Sequence, residues 1–460
     1  MKNKLVNYSP VVIFLILEVF AFVTFSFGNS FLLYSILGLV IALFIFLVSF
    51  KEIKLEGVVR SGFFIFPLFV FGLITVLSNY FKVNADIDNV TKAFIPISLV
   101  AFSCCGSLLA VNKSFKISTA LLVIYSTLAL VTLLNFIMTT IQFGPFHTIF
   151  YKDYYMYYGG AKSSVAAQGM AYALVGYQFN EVTIGYYSLY PTLLLTSVIM
   201  LFFVSFKKNR WVFLSYFGFF LLGFVALLFT PNLLTLLTDL LVLAVIVILV
   251  LFAKKKIPGK VLLIGVIILL VLTLIGLIML FLNAQDWSWL TGYKNFIASN
   301  GFLNKLFNTN YIAKNVNAIL NNMFSKDKLF GFYFSNVISE IPVSPSNSWL
   351  FDNLFTSGFF GAIFFIFALV FAFLGLKKYM KYSDDKIEDK TLLFAFILSF
   401  FLYTLFSGDI YYLIFKRSYN FLFVSGPFLI VICLLAYANC KGRNDCALNI
   451  ERMKQNEIEA

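Results

Sequence analysis

The sequence predicts an all-α, polytopic integral membrane protein with about twelve transmembrane helices and two long outward-facing loops, on three observations. First, the 460 residues are 61% hydrophobic and 12% charged. Soluble domains run at roughly 45–50% and 25%, so no water-soluble core could hide this much apolar surface. Second, apolar stretches long enough to cross a bilayer recur along the chain, many of them rich in Phe, such as 359-FFGAIFFIFALVFAFLGL-376. Third, basic residues fall mostly in the short gaps between those stretches, where they act as topology signals.

Taken in order, the chain begins Met1-Lys2-Asn3-Lys4 and enters an apolar segment with no small-residue cleavage site, which predicts a retained first span. Spans are expected at about 10–28, 30–50, 62–81, 92–111, 118–141, 186–204, 211–230, 233–252, 261–282, 353–375, 391–410 and 419–437. With the N-terminus inside, the inner gaps hold Lys51, Lys54 and Arg60, then Lys113 and Lys116, then Lys207, Lys208 and Arg210. Lys254, Lys255 and Lys256 follow, with Lys377, Lys378 and Lys381 next and Lys441 and Arg443 in the tail. The short outer gaps are poorer in Lys and Arg, so both termini are expected in the cytoplasm. The membrane domain is placed at 1–440 and a cytoplasmic tail at 441–460.

The two longest gaps, 142–185 and 283–352, then face outward. The first carries 150-FYKDYYMYYGGAKSS-164, and its later part, 165–179, is polar enough to lie in the interface or to re-enter rather than to span. The second is rich in Asn and Lys, with helix-like apolar spacing through 311–324, and its length favours an ordered lid or binding surface over a mere connection. A solvated loop is the plain alternative.

Several classes of activity are disfavoured. The net charge of +13 resides in topology signals, so no nucleic-acid partner is expected. Cys104, Cys105, Cys433, Cys440 and Cys446 make no CxxC pair, which argues against a disulfide framework or a metal cluster. No P-loop, Rossmann fingerprint or HExxH pattern is present, so neither ATP hydrolysis, nor a cofactor, nor a bound metal is expected.

The most informative stretch is 326-KDKLFGFYFSNVISEIPVSPSNSWLFDNLFTSGFFGAIFF-365, which sets polar groups directly before an aromatic, Gly-containing membrane segment. Pro342 and Pro345 restrict its approach, and Gly358 and Gly361 permit close helix packing. This stretch resembles the O-antigen ligase and polymerase superfamily. There a Pro-Leu-x-Gly stretch precedes a His-Asn-x-x-Leu motif and a Gly-x-x-Gly pair at the head of a membrane helix. Leu329, Phe330 and Gly331 resemble the first part, Asn347 and Leu350 the second, and Gly358 and Gly361 the last. Ser346 stands where the ligase has its catalytic His, and a neutral serine is no unaided general base. The resemblance therefore leans toward a polymerase. A family Arg at the outer start of a membrane helix is also missing from the best positional match, 229-FTPNLLTLLTD-239.

The resemblance implies glycosyl transfer between two lipid-linked glycans in the bacterial inner or cytoplasmic membrane. An undecaprenyl-diphosphate donor releases its diphosphate as an acceptor hydroxyl attacks the anomeric carbon, and the product is O-antigen or a related surface polysaccharide. Besides donor, acceptor and membrane lipids, a chain-length regulator and a flippase are the partners it suggests. Such a step needs a cation for the leaving diphosphate and a base for the acceptor proton. Arg417 is the leading cation, through its planar fork, with Lys416 as a second charge; snorkelling or pairing with Asp409 is the structural alternative. Asp352, Glu340, Asp409 and the sole histidine, His147, are candidates for the proton-handling role, and each would otherwise be a helix-register or hydrogen-bonding group. Ser346, Asn347 and Trp349 of the motif, with Tyr154 and Tyr155 of the first loop, are candidates to bind sugar. Lys326 and Lys328 would attract anionic lipid-linked substrate, while the tyrosines serve equally as headgroup-level anchors. A flippase for lipid-linked oligosaccharide is the different-class alternative and a ligase acting on lipid A core the enzymatic one. Against transport, the suggestive polar groups cluster outside rather than mid-membrane.

Overall fold

The structure is a computed structural model that describes residues 36, 39–40, 43, 62–80, 95–112, 115–143, 177–179, 182–184, 189–207, 209–228, 233–254, 291–299, 349–406 and 426–459. The spans expected at 10–28 and 261–282 lie outside the described residues, as does all of 30–50 except helical positions 36, 39, 40 and 43. Each of the other nine expected spans overlaps described helix.

In chain order these are α1 (Gly62–Tyr80), α2 (Ile95–Val111) and α3 (Ile117–Phe143), then α4 (Leu189–Leu195) and α5 (Val198–Phe203), which share one expected span. Next come α6 (Arg210–Leu228), α7 (Leu233–Ala253), the short α8 (Thr291–Ser299) in the second long loop, α9 (Trp349–Tyr382), α10 (Ile387–Phe406) and α11 (Gly426–Glu459). The described residues are helical, as expected, apart from short turns and one short hairpin. Tyr177–Phe179 (β1) pairs antiparallel with Val182–Ile184 (β2), Tyr177 opposite Ile184 and Phe179 opposite Val182. Val, Ile, Thr, Tyr and Phe favour the extended backbone, which accounts for a strand pair in this loop. Stretches within Ile117–Leu134, Arg210–Leu227 and Phe359–Tyr382 are long and apolar enough to cross a bilayer.

Helix boundaries follow local chemistry. Pro427 sits in the first turn of α11, where its missing N–H costs nothing, and Glu388 and Asp389 open α10 where acids complement the helix dipole. Both α9 and α11 run 34 residues, about 51 Å at 1.5 Å per residue, well beyond the hydrocarbon core. The boundary expected at residue 440 therefore falls inside one continuous helix.

Contacts between helices fix their directions. Phe63 meets Phe371 and Phe71 meets Phe365, so α1 runs antiparallel to α9. Phe365 meets Phe428 and Asn439 bonds Phe371, so α9 and α11 run parallel. Ser383–Lys386 turns the chain between α9 and α10, which makes them an antiparallel hairpin. Alternate crossings predict these same relations. Small residues let the backbones close up: a Cβ on Gly106 of α2 would lie 2.0 Å from the Cys433 carbonyl oxygen of α11. The α3–α7 group joins through α10, with Tyr125 of α3 ringed by Tyr216, Phe219 and Phe396.

Leu214, Phe217, Leu221 and Phe224 form an exposed apolar stripe along α6 at three- and four-residue spacing. In water that stripe would drive aggregation, whereas lipid tails satisfy it. Among the described residues of α1–α7 and α9–α11 with their turns, the cations gather toward one end of the bundle. That end is marked by the α9–α10 turn and holds Lys116, Lys207, Arg210, Lys254, Lys377, Lys378, Lys381, Lys386, Lys390, Lys441 and Arg443. It is called the basic end below.

Candidate functional site

At the end of the bundle away from the basic end, α9 opens at Trp349, with Asp352 three positions on. The motif-like Ser346 and Asn347 therefore directly precede a long apolar helix in the sequence. Arg417, Lys416, Asp409, Glu340, His147, Tyr154, Tyr155, Lys326 and Lys328 lie outside the described residues, as do Ser346 and Asn347 themselves. Among these candidates, only Trp349 and Asp352 lie in a described helix.

The described bundle contains two polar constellations that sequence reasoning passed over. The first is an interruption in the span expected at 186–204. Pro191 lies in α4, and the chain turns at Thr196–Ser197 before α5 resumes. Around this break the backbone bonds reach back three residues rather than four: Thr196 N–H to Leu193, Ser197 to Leu194, Ile199 to Thr196 and Met200 to Ser197. Thr196 Oγ1 also donates to the Leu193 carbonyl at 2.6 Å, competing with the helical ladder. Neighbouring helices satisfy the remaining groups: Ser197 Oγ donates to the Tyr216 carbonyl at 3.2 Å, and the Tyr125 hydroxyl bonds Thr196 Oγ1.

One turn above the break, Thr192 Oγ1 donates to Asp239 Oδ1 of α7 at 2.6 Å, and both residues are buried. Asp239 stands six residues into α7, about 9 Å along its axis, in an otherwise Leu-rich helix. An acid at that depth is costly unless paired, and acids retained inside membranes mark ion or proton paths more often than lipid-facing positions do. The hydroxyl donor keeps one carboxylate oxygen satisfied and ties α4 to α7.

The second constellation knits the basic end. Tyr379 of α9 and Tyr437 of α11 both donate to Asp385 Oδ2, at 2.7 and 3.1 Å, and Ser383 Oγ donates to the same oxygen at 3.2 Å. Lys390 Nζ donates to the Ser383 carbonyl at 2.8 Å, closing the α9–α10 turn. Nearby, Asn439 Nδ2 donates to the Phe371 carbonyl at 2.7 Å and Asn439 Oδ1 accepts from Arg443 Nε at 2.8 Å. Gly375 makes room for that amide, since a Cβ there would meet Asn439 Nδ2 at 2.3 Å. Burial pushes the Asp389 carboxyl up to about 6, helped by Glu388 and Asp385 and opposed by Lys386. Burial likewise lowers Lys390, against the pull of Asp385, Asp384 and Asp445, and raises Asp445 despite Lys441 at 3.7 Å. Among the described residues no group of His, Cys, Asp and Glu could hold a metal ion.

The first constellation joins an interrupted helix to its neighbours, and the second staples the basic end. Their signals were weak in the sequence. Asp239 sits in a stretch read only for a missing cation, and one partner of Asp385, Tyr437, comes from a helix 52 residues away. No protein family, curated protein or solved structure matches the chain.

Proposed function

We propose that this chain is a multi-pass bacterial membrane glycosyltransferase that polymerises undecaprenyl-diphosphate-linked oligosaccharide repeats into a surface polysaccharide. The observation that carries the reading is the start of α9 at Trp349, directly after Ser346-Asn347-Ser348 and away from the basic end. Cations gather on the cytoplasmic side of membrane proteins, so the basic end is cytoplasmic and the motif meets the outer leaflet, where lipid-linked repeats are joined. Both termini then lie in the cytoplasm. Arg417, with Lys416, stabilises the departing diphosphate; an acid among Asp352, Glu340 and Asp409, or His147, takes the acceptor proton; Asn347 orients sugar.

The test is purified protein with labelled lipid-linked repeat. A ladder of products supports polymerisation, attachment to lipid A core identifies a ligase, and movement across the bilayer without new bonds identifies a flippase. At matched membrane abundance, Asn347→Ala and Arg417→Ala should suppress the ladder while Asn304→Ala leaves it intact. Full product formation by correctly folded Arg417→Ala protein would remove that residue from the chemistry.

One observation favours the flippase as the second reading. Transporters build their sites on interrupted membrane helices beside buried acids, and α4–α5 with Asp239 has that form. Asp239→Asn separates the two readings, since it should stop coupled transport but leave the glycan ladder of a polymerase in place.

A further inference from the structure

Between α1 and α9 lies a groove of about 570 Å³, lined by Gly62, Phe63, Phe66, Phe364, Phe367 and Phe371. That volume is within the range that holds an organic ligand, roughly 300–1,000 Å³. It opens sideways, because Phe63, Phe66 and Phe367 are 62%, 66% and 51% exposed. Its wall is apolar throughout, but its basic end is not. The Arg443 guanidinium carbon sits 5.3 Å from the centre of the Phe63 ring, and Phe63 in turn meets Phe371. Arg443 is half-buried, its Nε is held by Asn439, and among the described residues no carboxylate pairs with it. Nearby Asp445 is already engaged by Lys441. Burial also lowers the Arg443 pKa, as expected of a cation short of water and of a counter-charge. On α9 the stripe Phe364, Phe367, Phe371 continues at helical spacing to the exposed Lys378, so a second cation lies two turns beyond the last ring.

We infer that this groove binds one anionic diacyl phospholipid of the adjoining leaflet, with an acyl chain against the Phe rings and its phosphate at Arg443 and Lys378. Charge complementarity selects the occupant. A bare hydrocarbon would leave the Arg443 cation uncompensated, and a zwitterionic headgroup would bring its own cation to a rim that already has two. The guanidinium is fixed on one side by Asn439 and on one face by the Phe63 ring, which leaves its Nη groups for the planar, two-point contact that arginine makes with phosphate. Basic pockets between membrane helices recognise anionic headgroups by the same physics. This inference is independent of the glycan chemistry proposed above.

Native mass spectrometry of the full-length protein, titrated with palmitoyl-oleoyl phosphatidylglycerol, tests it against phosphatidylcholine of the same chains and against undecaprenyl phosphate. One phosphatidylglycerol should be retained in preference to both. Arg443→Gln and Lys378→Gln should each weaken it roughly fivefold, the factor for one interfacial cation. Gly62→Trp probes the groove separately: a Cβ there meets nothing within 4 Å, so the indole can fill the groove without displacing backbone. It should abolish retention while Arg443 remains, whereas Lys254→Gln, at a cation lying over Phe202 and Phe203, should change nothing. Equal retention of phosphatidylcholine, preference for undecaprenyl phosphate, or unchanged binding in both Arg443→Gln and Gly62→Trp would overturn the assignment. Thermal melts of each variant separate misfolding from lost binding.

Discussion

Asp389 offers a sharp test of how the basic end is held. It lies in the first turn of α10, is only 4% exposed, and its carboxyl is raised from 3.8 to about 6, mainly by burial and secondarily by Glu388 and Asp385. An acid that holds its proton more tightly when folded contributes stability that is complete below its unfolded value and is lost as pH climbs through its folded value. The window is therefore pH 4 to 6, and the interval between 3.8 and about 6 is worth roughly 3 kcal/mol. Asp389→Asn removes the penalty of the buried charge and should stabilise the protein above pH 6 by up to about 3 kcal/mol. Below pH 4 the advantage should vanish, because the native carboxyl is then protonated too. Equilibrium unfolding in detergent micelles, followed by Trp fluorescence from pH 4 to 7.5, gives the wild-type-minus-variant difference, in which the other carboxylates cancel. A difference that is flat with pH, or a variant less stable throughout, would refute the burial argument and assign Asp389 a stabilising partner.

Three further outcomes follow from the packing. Asn439→Ala leaves Arg443 Nε without its acceptor and the Phe371 carbonyl without its side-chain donor, so unfolding in micelles should become easier by roughly 2–4 kcal/mol; no change would mean that water replaces both bonds. Gly106→Leu drives a side chain into the Cys433 carbonyl, and size-exclusion chromatography should show little monodisperse protein, whereas Gly218→Ala, which meets nothing within 4 Å, should behave as wild type. Thr192→Val leaves Asp239 Oδ1 without its hydroxyl donor and should cost roughly 1–3 kcal/mol in the same unfolding measurement, a loss that the double variant with Asp239→Leu should partly recover.

Length and hydropathy made most of the bundle legible. α3 and α7 fall within a few residues of their expected spans because an unbroken apolar run in a bilayer has no alternative to helix. Where the reading failed, tertiary structure decided. The stretch 186–204 is mostly apolar, yet it breaks at Thr196–Ser197, where the Thr196 hydroxyl competes for the Leu193 carbonyl, and the cost is bearable because Tyr125 and the Tyr216 carbonyl supply partners from other helices. Lys377, Lys378 and Lys381 read as the end of a span, but α9 continues through them because Tyr379 is drawn to Asp385 and Gly442 packs on its backbone. The same logic carries α11 past Lys441. For the candidate site, the order of residues around Trp349 was legible, whereas the pairing of Thr192 with Asp239 spans 47 residues and leaves no local pattern.

The asymmetry between the two ends bears on how a motif at the head of α9 can be positioned. α9 is fixed near its basic end by contacts of three kinds: the Asp385 oxygen that gathers Tyr379, Ser383 and Tyr437, the Asn439 amide on the Phe371 carbonyl, and the backbone approach at Gly375 and Gly442. Farther along, Phe365 is held between Phe71 and Phe428. These contacts support α9 from Phe365 to its basic end, within the same continuous helix that begins at Trp349. The glycosyl transfer proposed above calls for rigid support of this kind, since small displacements at the reacting atoms cost rate steeply. The interrupted α4–α5 segment is held differently, around its break rather than along its length, by hydrogen bonds to α3, α6 and α7.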